Sequence, residues 1–174
     1  MLDTLTDASS VRIADREDED DLMAMVQEMH QESALRTGDG QPIPLDVEMV
    51  RGELHRAIVP NRNNPDLPAW IGVVGEQGEL HASMYLSLET TWYSRHIMLV
   101  ERWLFVRPAF RKSNIAGALI EFAKKSADVS QAYPLIVGHM TPGREEAKTR
   151  LYRRRMGNPI GGYFGYTGRE AGAL

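Results

Sequence analysis

A strand, a turn and a helix follow one another in the segment LFVRPAFRKSNIAGALI, residues 104–120. Pro108 ends the strand because proline has no N–H group for a sheet ladder. The turn RKSNIA, residues 111–116, opens directly into an amphipathic helix that the apolar spacing predicts over residues 115–127. Free N–H groups and the positive dipole end at a helix start favour a phosphate. Arg111 and Lys112 add two full charges, so the segment predicts a phosphate-binding turn, with an ordinary charged surface turn as the alternative.

Around this segment, hydrophobic periodicity predicts an alternation of strands and helices. Leu80, Ala82, Met84, Leu86 and Leu88 are expected on one face of their strand. Loops rich in Gly, Pro and Asn occupy residues 37–44 and 60–68 and could shape a substrate pocket. The predicted elements are strand 11–14, helix 15–33, helix 47–58, strands 70–74, 80–88 and 97–106, helix 115–127, strand 134–140, helix 141–156 and strand 160–167. This order predicts an α+β fold, one mixed sheet with helices on its faces.

Composition limits the chemistry that the chain can perform. Its 174 residues fit one domain, which we place at 11–174 after a flexible N-terminus, residues 1–10. Cysteine is absent, which excludes a thiol nucleophile and cysteine-bound metals. The five histidines show no close ligand spacing, so we predict no metal. Neither a signal peptide nor an apolar run of membrane-spanning length is visible, and we expect a soluble, cytoplasmic protein with no membrane partner.

Charge is distributed unevenly along the chain. The net charge of −4 argues against a protein built mainly to hold a nucleic-acid backbone. Residues 1–60 hold 14 acidic and 5 basic side chains, whereas residues 61–174 hold 10 acidic and 15 basic ones. We expect a cationic partner near the first part and an anionic partner near the second, with ordinary solvated surface as the alternative.

The turn at residues 111–116 resembles the pyrophosphate loop of the GNAT superfamily of acyl-CoA-dependent N-acyltransferases. That loop reads Arg or Gln, two variable residues, Gly, one variable residue, and Gly or Ala. Asn114 stands where the family usually has Gly, and Asn is the residue that best tolerates positive φ after Gly. The resemblance extends over residues 11–167 and includes Leu151 and Tyr152 ahead of Gly157, one residue further apart than is usual. The segment MHQES, residues 29–33, resembles small phage members.

The resemblance implies a fold and a cosubstrate. The fold is a three-layer α/β/α arrangement with a mixed, mostly antiparallel sheet of about six or seven strands, splayed between the fourth and fifth strands at 97–106 and 134–140. The cosubstrate is acetyl-CoA, whose pantetheine arm would insert in the splay and pair with backbone groups of the strand. The implied cofactor-binding residues are Leu104, Phe105, Val106, Arg111, Lys112, Ser113, Asn114, Ile115, Ala116 and Gly117.

The resemblance also implies catalytic roles. Tyr152 would protonate the departing CoA sulfur, the alternative being a packing tyrosine. Glu101 could act as a general base through a water, and strict alternation would place it on the face of Trp103 and Phe105. An ion pair with neighbouring Arg102 is the alternative role for Glu101. We place His30 and Glu32 among acceptor-binding candidates, and His139 is a further one near the expected cleft.

Basic side chains also accumulate in the predicted last helix, where Arg144, Lys148 and Arg155 can cluster. They could contact the CoA 3′-phosphate or an RNA acceptor, or they could be solvated. We therefore predict an N-acetyltransferase that moves the acetyl group of acetyl-CoA directly to a primary amine of a small molecule, peptide or protein. The alternatives are a non-catalytic binding protein of the same fold and an acyltransferase acting on aminoacyl-tRNA. The acceptor is unidentified, and a homodimer is left open.

Overall fold

The computed structural model describes residues 11–33, 35–36, 40–59, 68–138 and 145–161. In these ranges four helices and five strands follow one another, with short 3₁₀ turns before α1 and after β4. The elements are β1 (Arg12–Ile13), α1 (Glu19–Ser33), α2 (Val47–Ile58), β2 (Ala69–Glu76), β3 (Glu79–Thr91), β4 (Ser94–Val106), α3 (Ile115–Ser130), β5 (Leu135–Ile136) and α4 (Glu145–Met156). The predicted α+β class is therefore confirmed.

The five strands form one sheet in the order in which they occur along the chain. Strands β1 to β4 pair antiparallel, and β5 pairs parallel to β4. The β4–β5 pairing covers only two residue pairs, Leu99 with Leu135 and Val100 with Ile136. Within the described residues, β4 therefore continues from Glu101 to Val106 without a strand partner on that edge.

Helices cover both faces of the sheet and bury a separate apolar cluster on each side. On one face, α3 packs Leu119, Phe122 and Ala123 against Met84 and Leu86 of the sheet. On the other, α1 and α2 pack against strand residues that point the opposite way. That second cluster includes Leu22, Met25, Leu54, Ile71, Tyr85 and Phe105. The amphipathic spacing of Leu22 and Met25 thus marks core, as the sequence predicts, because these side chains are fully buried.

Two β-bulges change which side chains share a face. Gly75 pairs with Leu80 and Val74 pairs with Ala82, so His81 is an extra residue in β3. The extra residue reverses the alternation, and Leu80 packs in the α1–α2 cluster while Ala82 packs in the α3 cluster. The prediction that Leu80 shares a face with Ala82, Met84, Leu86 and Leu88 is therefore wrong.

The predicted ends of the elements agree closely with the structure where it describes them. The strand predicted over 134–140 is confirmed only at Leu135–Ile136, and its remainder and the strand at 160–167 extend outside the described residues. The described chain contains five strands where six or seven were predicted. Among the described residues, no helix has the length and apolarity needed to span a membrane.

Candidate active site

A cavity of about 980 Å³ lies at the point where the end of β4 meets the start of α3. The last residues of α1 close one side of it, and α4 closes another. Its walls are formed by Met29, Glu32, Leu104, Phe105, Val106, Pro108, Phe110, Arg111, Ser113, Asn114, Ala116, Gly117, Ala147, Lys148, Leu151, Arg154 and Arg155. The predicted strand end and phosphate-binding turn therefore border one concave site.

The turn between β4 and α3 is fixed by local hydrogen bonds. The Ser113 hydroxyl donates to the carbonyl oxygen of Phe110 at 2.6 Å and accepts from the Ile115 N–H at 3.3 Å. Phe110 stacks on His81, with ring centroids 3.8 Å apart, so the extra residue in β3 supports the turn. Asn114 is the N-cap residue of α3, and its φ of −87° lies outside the left-handed region. Asn114 therefore takes the place of the usual glycine in this turn without the positive φ that its residue type would tolerate.

Arg111 points inward and bridges two elements. Its Nε donates to the carbonyl oxygen of Val106 at 2.7 Å, and its Nη2 donates to Glu32 at 2.6 Å. The guanidinium also lies 5.5 Å from the centre of the Phe105 ring. Glu32, at the end of α1, is thereby placed beside the phosphate-binding turn. A ligand that takes over Arg111 would release this carboxylate.

The cavity wall contributed by α4 is basic, and the sequence predicts only part of it. Ala147, Lys148, Leu151, Arg154 and Arg155 line the cavity at a spacing that places them on one face of the helix. The sequence predicts that Lys148 and Arg155 cluster with Arg144, and Arg144 lies outside the described residues. Relative to Ala147, the other cavity residues of α4 lie at i+1, i+4, i+7 and i+8, and this helical spacing is the sequence signal that could have indicated Arg154 and Arg155 as cavity residues.

Glu101 and Tyr152 are in direct contact. The Tyr152 hydroxyl donates a 3.0 Å hydrogen bond to Oε2 of Glu101, joining α4 to β4. Burial raises the pKa of Glu101 to about 7, although Tyr152, a backbone hydrogen bond from Gly138 and the charge of Lys148 all favour its ionised form. Burial and the neighbouring carboxylate also raise the pKa of Tyr152. Glu101 is therefore close to half ionised near neutral pH, which suits a general base, while Tyr152 keeps its proton.

The second bulge explains why Glu101 faces Tyr152. Tyr85 pairs with Trp103 and Leu86 pairs with Glu101, so Arg102 is an extra residue in β4. The alternation reverses there, and Glu101 faces the α3–α4 side while Trp103 and Phe105 face α1 and α2. The prediction that Glu101 shares a face with Trp103 and Phe105 is wrong. Arg102 instead pairs with Glu89 at 3.0 Å and donates to the Ser87 hydroxyl.

The acid–base pair lies next to the cavity, just beyond the residues of β4 that pair with β5. Glu101 directly follows Val100, the last β4 residue paired with β5. Glu101 and Tyr152 do not themselves line the cavity, but Leu104 and Leu151 on the same two elements do. Val106 lies five steps along the strand from Glu101, which is roughly 16 Å of extended chain. The site is thus elongated along β4, with the phosphate-binding turn at one end.

The remaining predicted residues lie elsewhere. His30 shares a 2.7 Å hydrogen bond with the carbonyl oxygen of Ile43 and does not line the cavity. Lys112 is exposed at the rim, and Ile115 packs against the α3 core, so neither side chain forms the wall. His139 lies outside the described residues. In the described part of the chain, no three His, Asp or Glu side chains converge as metal ligands would.

Comparison with known proteins gives the fold a precedent. The sequence matches no protein-family model and no curated protein. The structure is similar to AAC(6')-Iy, solved with the bisubstrate analogue CoA-S-monomethyl-acetylneamine, with a TM-score of 0.64, 12% identity, and coverage of 91% of this chain and 97% of that one. It is also similar to a predicted acetyltransferase from Clostridium acetobutylicum, solved with acetyl-CoA, with a TM-score of 0.64, 12% identity, and coverage of 90% and 94%.

A third similar structure is the ribosomal-protein-alanine N-acetyltransferase from Brucella melitensis biovar Abortus 2308. Its TM-score is 0.61 at 13% identity, over 90% of this chain and 97% of that one. At such low identity the likeness concerns the fold alone. The chain therefore shares the fold of these acetyltransferases over most of its length.

Proposed function

We propose that this protein is an N-acetyltransferase that moves the acetyl group of acetyl-CoA directly to a primary amine. The observation that carries the proposal is the Glu101–Tyr152 hydrogen bond, which lies just beyond the last β4 residue paired with β5 and beside a basic cavity. An acid–base pair and an anion site on one exposed strand edge are the two parts that acyl transfer from CoA requires.

Acetyl-CoA would lie along β4, with its diphosphate at the start of α3. The N–H groups in the first turn of a helix have no intrahelical partner, so those of Ala116 and Gly117 are suited to bind phosphate oxygens. The β4 edge from Glu101 to Val106, which has no strand partner in the part of the chain that the structure describes, would pair with the pantetheine amides as an added strand. Arg111 already occupies the Val106 carbonyl, so pantetheine binding either shares that oxygen or turns Arg111 towards the diphosphate.

Residues Glu101 and Tyr152 would move the proton that the reaction transfers from nitrogen to sulfur. The amine nitrogen attacks the thioester carbon, the C–S bond breaks, and the Glu101 carboxylate takes the proton that nitrogen loses. The Tyr152 hydroxyl gives its proton to the departing thiolate. Because the pKa of Tyr152 is raised, its phenolate is unstable, and protonated Glu101 would return a proton across their hydrogen bond. The pair then ends as it began, with no residue consumed.

The acceptor would approach from the acidic side of the site. Glu32 contributes a carboxylate to the cavity wall, and the first 60 residues carry most of the chain's negative charge. A cationic amine is favoured there by electrostatic steering. When the diphosphate draws Arg111 away, Glu32 is free to receive an ammonium group. We therefore expect acceptors with net positive charge.

The direct test is thiol release from acetyl-CoA over a panel of primary amines, together with mass spectrometry of what becomes acetylated in a cell extract. We expect Tyr152→Phe to lower kcat about 100-fold or more, because general acid catalysis contributes that much, while the Kd for acetyl-CoA changes less than twofold. Tyr133→Phe is the matched control, since that phenol also donates to a carboxylate, Asp128, and does not line the cavity.

The pH profile gives a second readout of the same pair. The rising limb of kcat/KM should lie near pH 7, where Glu101 ionises. Tyr152 stabilises the carboxylate, so its removal should move that limb to higher pH. Arg111→Ala should weaken acetyl-CoA binding. Absence of acetyl-CoA binding at high micromolar protein would contradict the proposal and favour a non-catalytic binding protein. Turnover unaffected by Tyr152→Phe would refute the role of Tyr152 as the acid.

A further inference from the structure

Asn114 is the N-cap residue of α3, but its side chain does not cap the helix. Asn at the first cap of a helix commonly accepts hydrogen bonds from the free N–H groups of the first turn. Here the side chain makes no such bond. Its Oδ1 instead accepts a 2.9 Å hydrogen bond from Nη2 of Arg155 on α4. The first-turn N–H groups of α3 are thereby left uncapped by Asn114, and a guanidinium is drawn to the same place.

Gly117 makes room for this contact. A Cβ atom at position 117 would lie 2.5 Å from Oδ1 of Asn114 and 2.6 Å from Nη2 of Arg155. Both atoms therefore sit directly against the first turn of α3. The same side of Arg155 is approached by Glu121, whose Oε1 lies 3.6 Å from Nη1. Arg155 is thus held between a helix start and a carboxylate while it lines the cavity.

We propose that Arg155 is a phosphate-binding residue of this site and that Asn114 and Glu121 position it for the diphosphate of acetyl-CoA. This inference rests on the proposed function. A guanidinium has five N–H donors in a planar fork, and Asn114 accepts one of them. Ala116, Gly117 and Arg155 all line the cavity, and Nη2 of Arg155 lies against Gly117, so one diphosphate could meet both the guanidinium and the uncapped N–H groups. Asn114 thus replaces the family's usual glycine with a side chain that recruits charge.

The test is isothermal titration of acetyl-CoA into single variants of the full chain. Arg155→Gln should weaken binding roughly 10- to 100-fold, the loss expected for a charge-assisted contact to an anion. Asn114→Ala should weaken binding less, roughly 3- to 10-fold, because it removes only the positioning contact. The double variant should bind no more weakly than Arg155→Gln alone, since Asn114 acts through Arg155. Arg150→Gln is the matched control: Arg150 lies on the same helix, pairs with Glu146 and does not line this cavity.

A second ligand distinguishes the two phosphate sources in CoA. Acetyl-3′-dephospho-CoA keeps the diphosphate and lacks the 3′-phosphate, so Arg155→Gln should weaken its binding by the same factor. A loss seen only with the 3′-phosphorylated ligand would overturn the assignment to the diphosphate, and unchanged binding by Arg155→Gln would overturn the inference entirely. If Arg155→Gln fails to fold, Arg155→Lys replaces it, because lysine keeps the positive charge beside Glu121 but lacks the planar fork that bonds Asn114 and an anion together.

Failure of this inference is separable from failure of the proposed function. If the unmodified protein binds acetyl-CoA and Arg111→Ala weakens it while Arg155→Gln does not, only the role of Arg155 is refuted. If the unmodified protein binds neither acetyl-CoA nor its dephospho form, the proposed function falls and this inference falls with it.

Discussion

Glu101→Gln should change how the stability of the protein depends on pH. In the folded protein, burial raises the pKa of Glu101 from 4.5 to about 7. The folded state therefore binds more protons at this residue than the unfolded state does between those values. Stability from protonated Glu101 is fully present below pH 4.5 and is lost as pH rises through 7. The linkage relation gives a loss of about 2.5 kcal/mol between pH 5 and pH 8.

Urea denaturation followed by tryptophan fluorescence measures this loss, because Trp70 is buried in the core and reports unfolding. The quantity to compare is the free energy of unfolding of the unmodified protein minus that of Glu101→Gln, at pH 5 and at pH 8. This difference should become more negative by about 2.5 kcal/mol at pH 8, because glutamine carries no charge to bury. Glu79→Gln, at an exposed carboxylate on β3, is the matched control.

A pH-independent difference for Glu101→Gln would refute the reasoning, since it would mean that Glu101 ionises in the folded protein as easily as in water. A difference of opposite sign would mean that Tyr152, Gly138 and Lys148 stabilise the carboxylate more than burial destabilises it. In either case Glu101 could not serve as a base that is half ionised near neutral pH, and the proposed proton transfer would lose its basis.

Two further predictions concern stability alone. Gly72→Ala should lower the free energy of unfolding by about 2 kcal/mol, because its Cβ would lie 2.5 Å from the buried Phe122 ring. Gly52→Ala, on an open face of α2, should raise the free energy of unfolding by about 1 kcal/mol. Urea denaturation of both variants at one pH measures the two changes, and equal effects would contradict the prediction. Asp18→Asn should lower the free energy of unfolding by about 3 kcal/mol, because fully buried Asp18 accepts hydrogen bonds from both Nη atoms of Arg12 at 2.6 and 2.7 Å. Asp20→Asn, at an exposed carboxylate, should change it little. Thermal melting compares the two variants, and similar melting temperatures would show that the ion pair with Arg12 contributes little to stability.

The order of elements was predictable because each has a clear period in the sequence. Helix α2 begins and ends where the spacing of Val47, Val50, Leu54 and Ile58 predicts. The strand-turn-helix segment around Arg111 was also predictable, because proline and a run of small and charged residues mark its ends. The resemblance to phage members remains a prediction, and so do a homodimer, the domain limits and the location in the cell.

The facing of side chains in β3 and β4 was not predictable in the same way. Alternation assumes one residue per step, and nothing in the residue types at His81 or Arg102 indicates an extra one. The extra residues become visible only from the partner strand, since a bulge is a property of pairing and not of one strand. Asn114 shows the same limit. Its residue type indicates only that it tolerates positive φ, whereas its hydrogen bond joins it to Arg155, which is distant in sequence.

The bulge at Arg102 divides β4 into two segments. In the segment before it, odd-numbered residues such as Glu101 face α3, whereas in the segment after it, odd-numbered residues such as Phe105 face α1 and α2. A substitution in one segment can therefore leave the side-chain directions of the other unchanged. Deleting Arg102 would remove the bulge but leave Glu101 opposite Leu86 and Trp103 opposite Tyr85, so Glu101 would keep its side of the sheet. If β4 instead paired without a bulge while Arg102 remained, Arg102 would lie opposite Leu86 and Glu101 would turn to the side of α1 and α2. Whether this site can transfer protons therefore depends on how β3 and β4 pair at Arg102, whose own side chain bonds to Glu89 and Ser87.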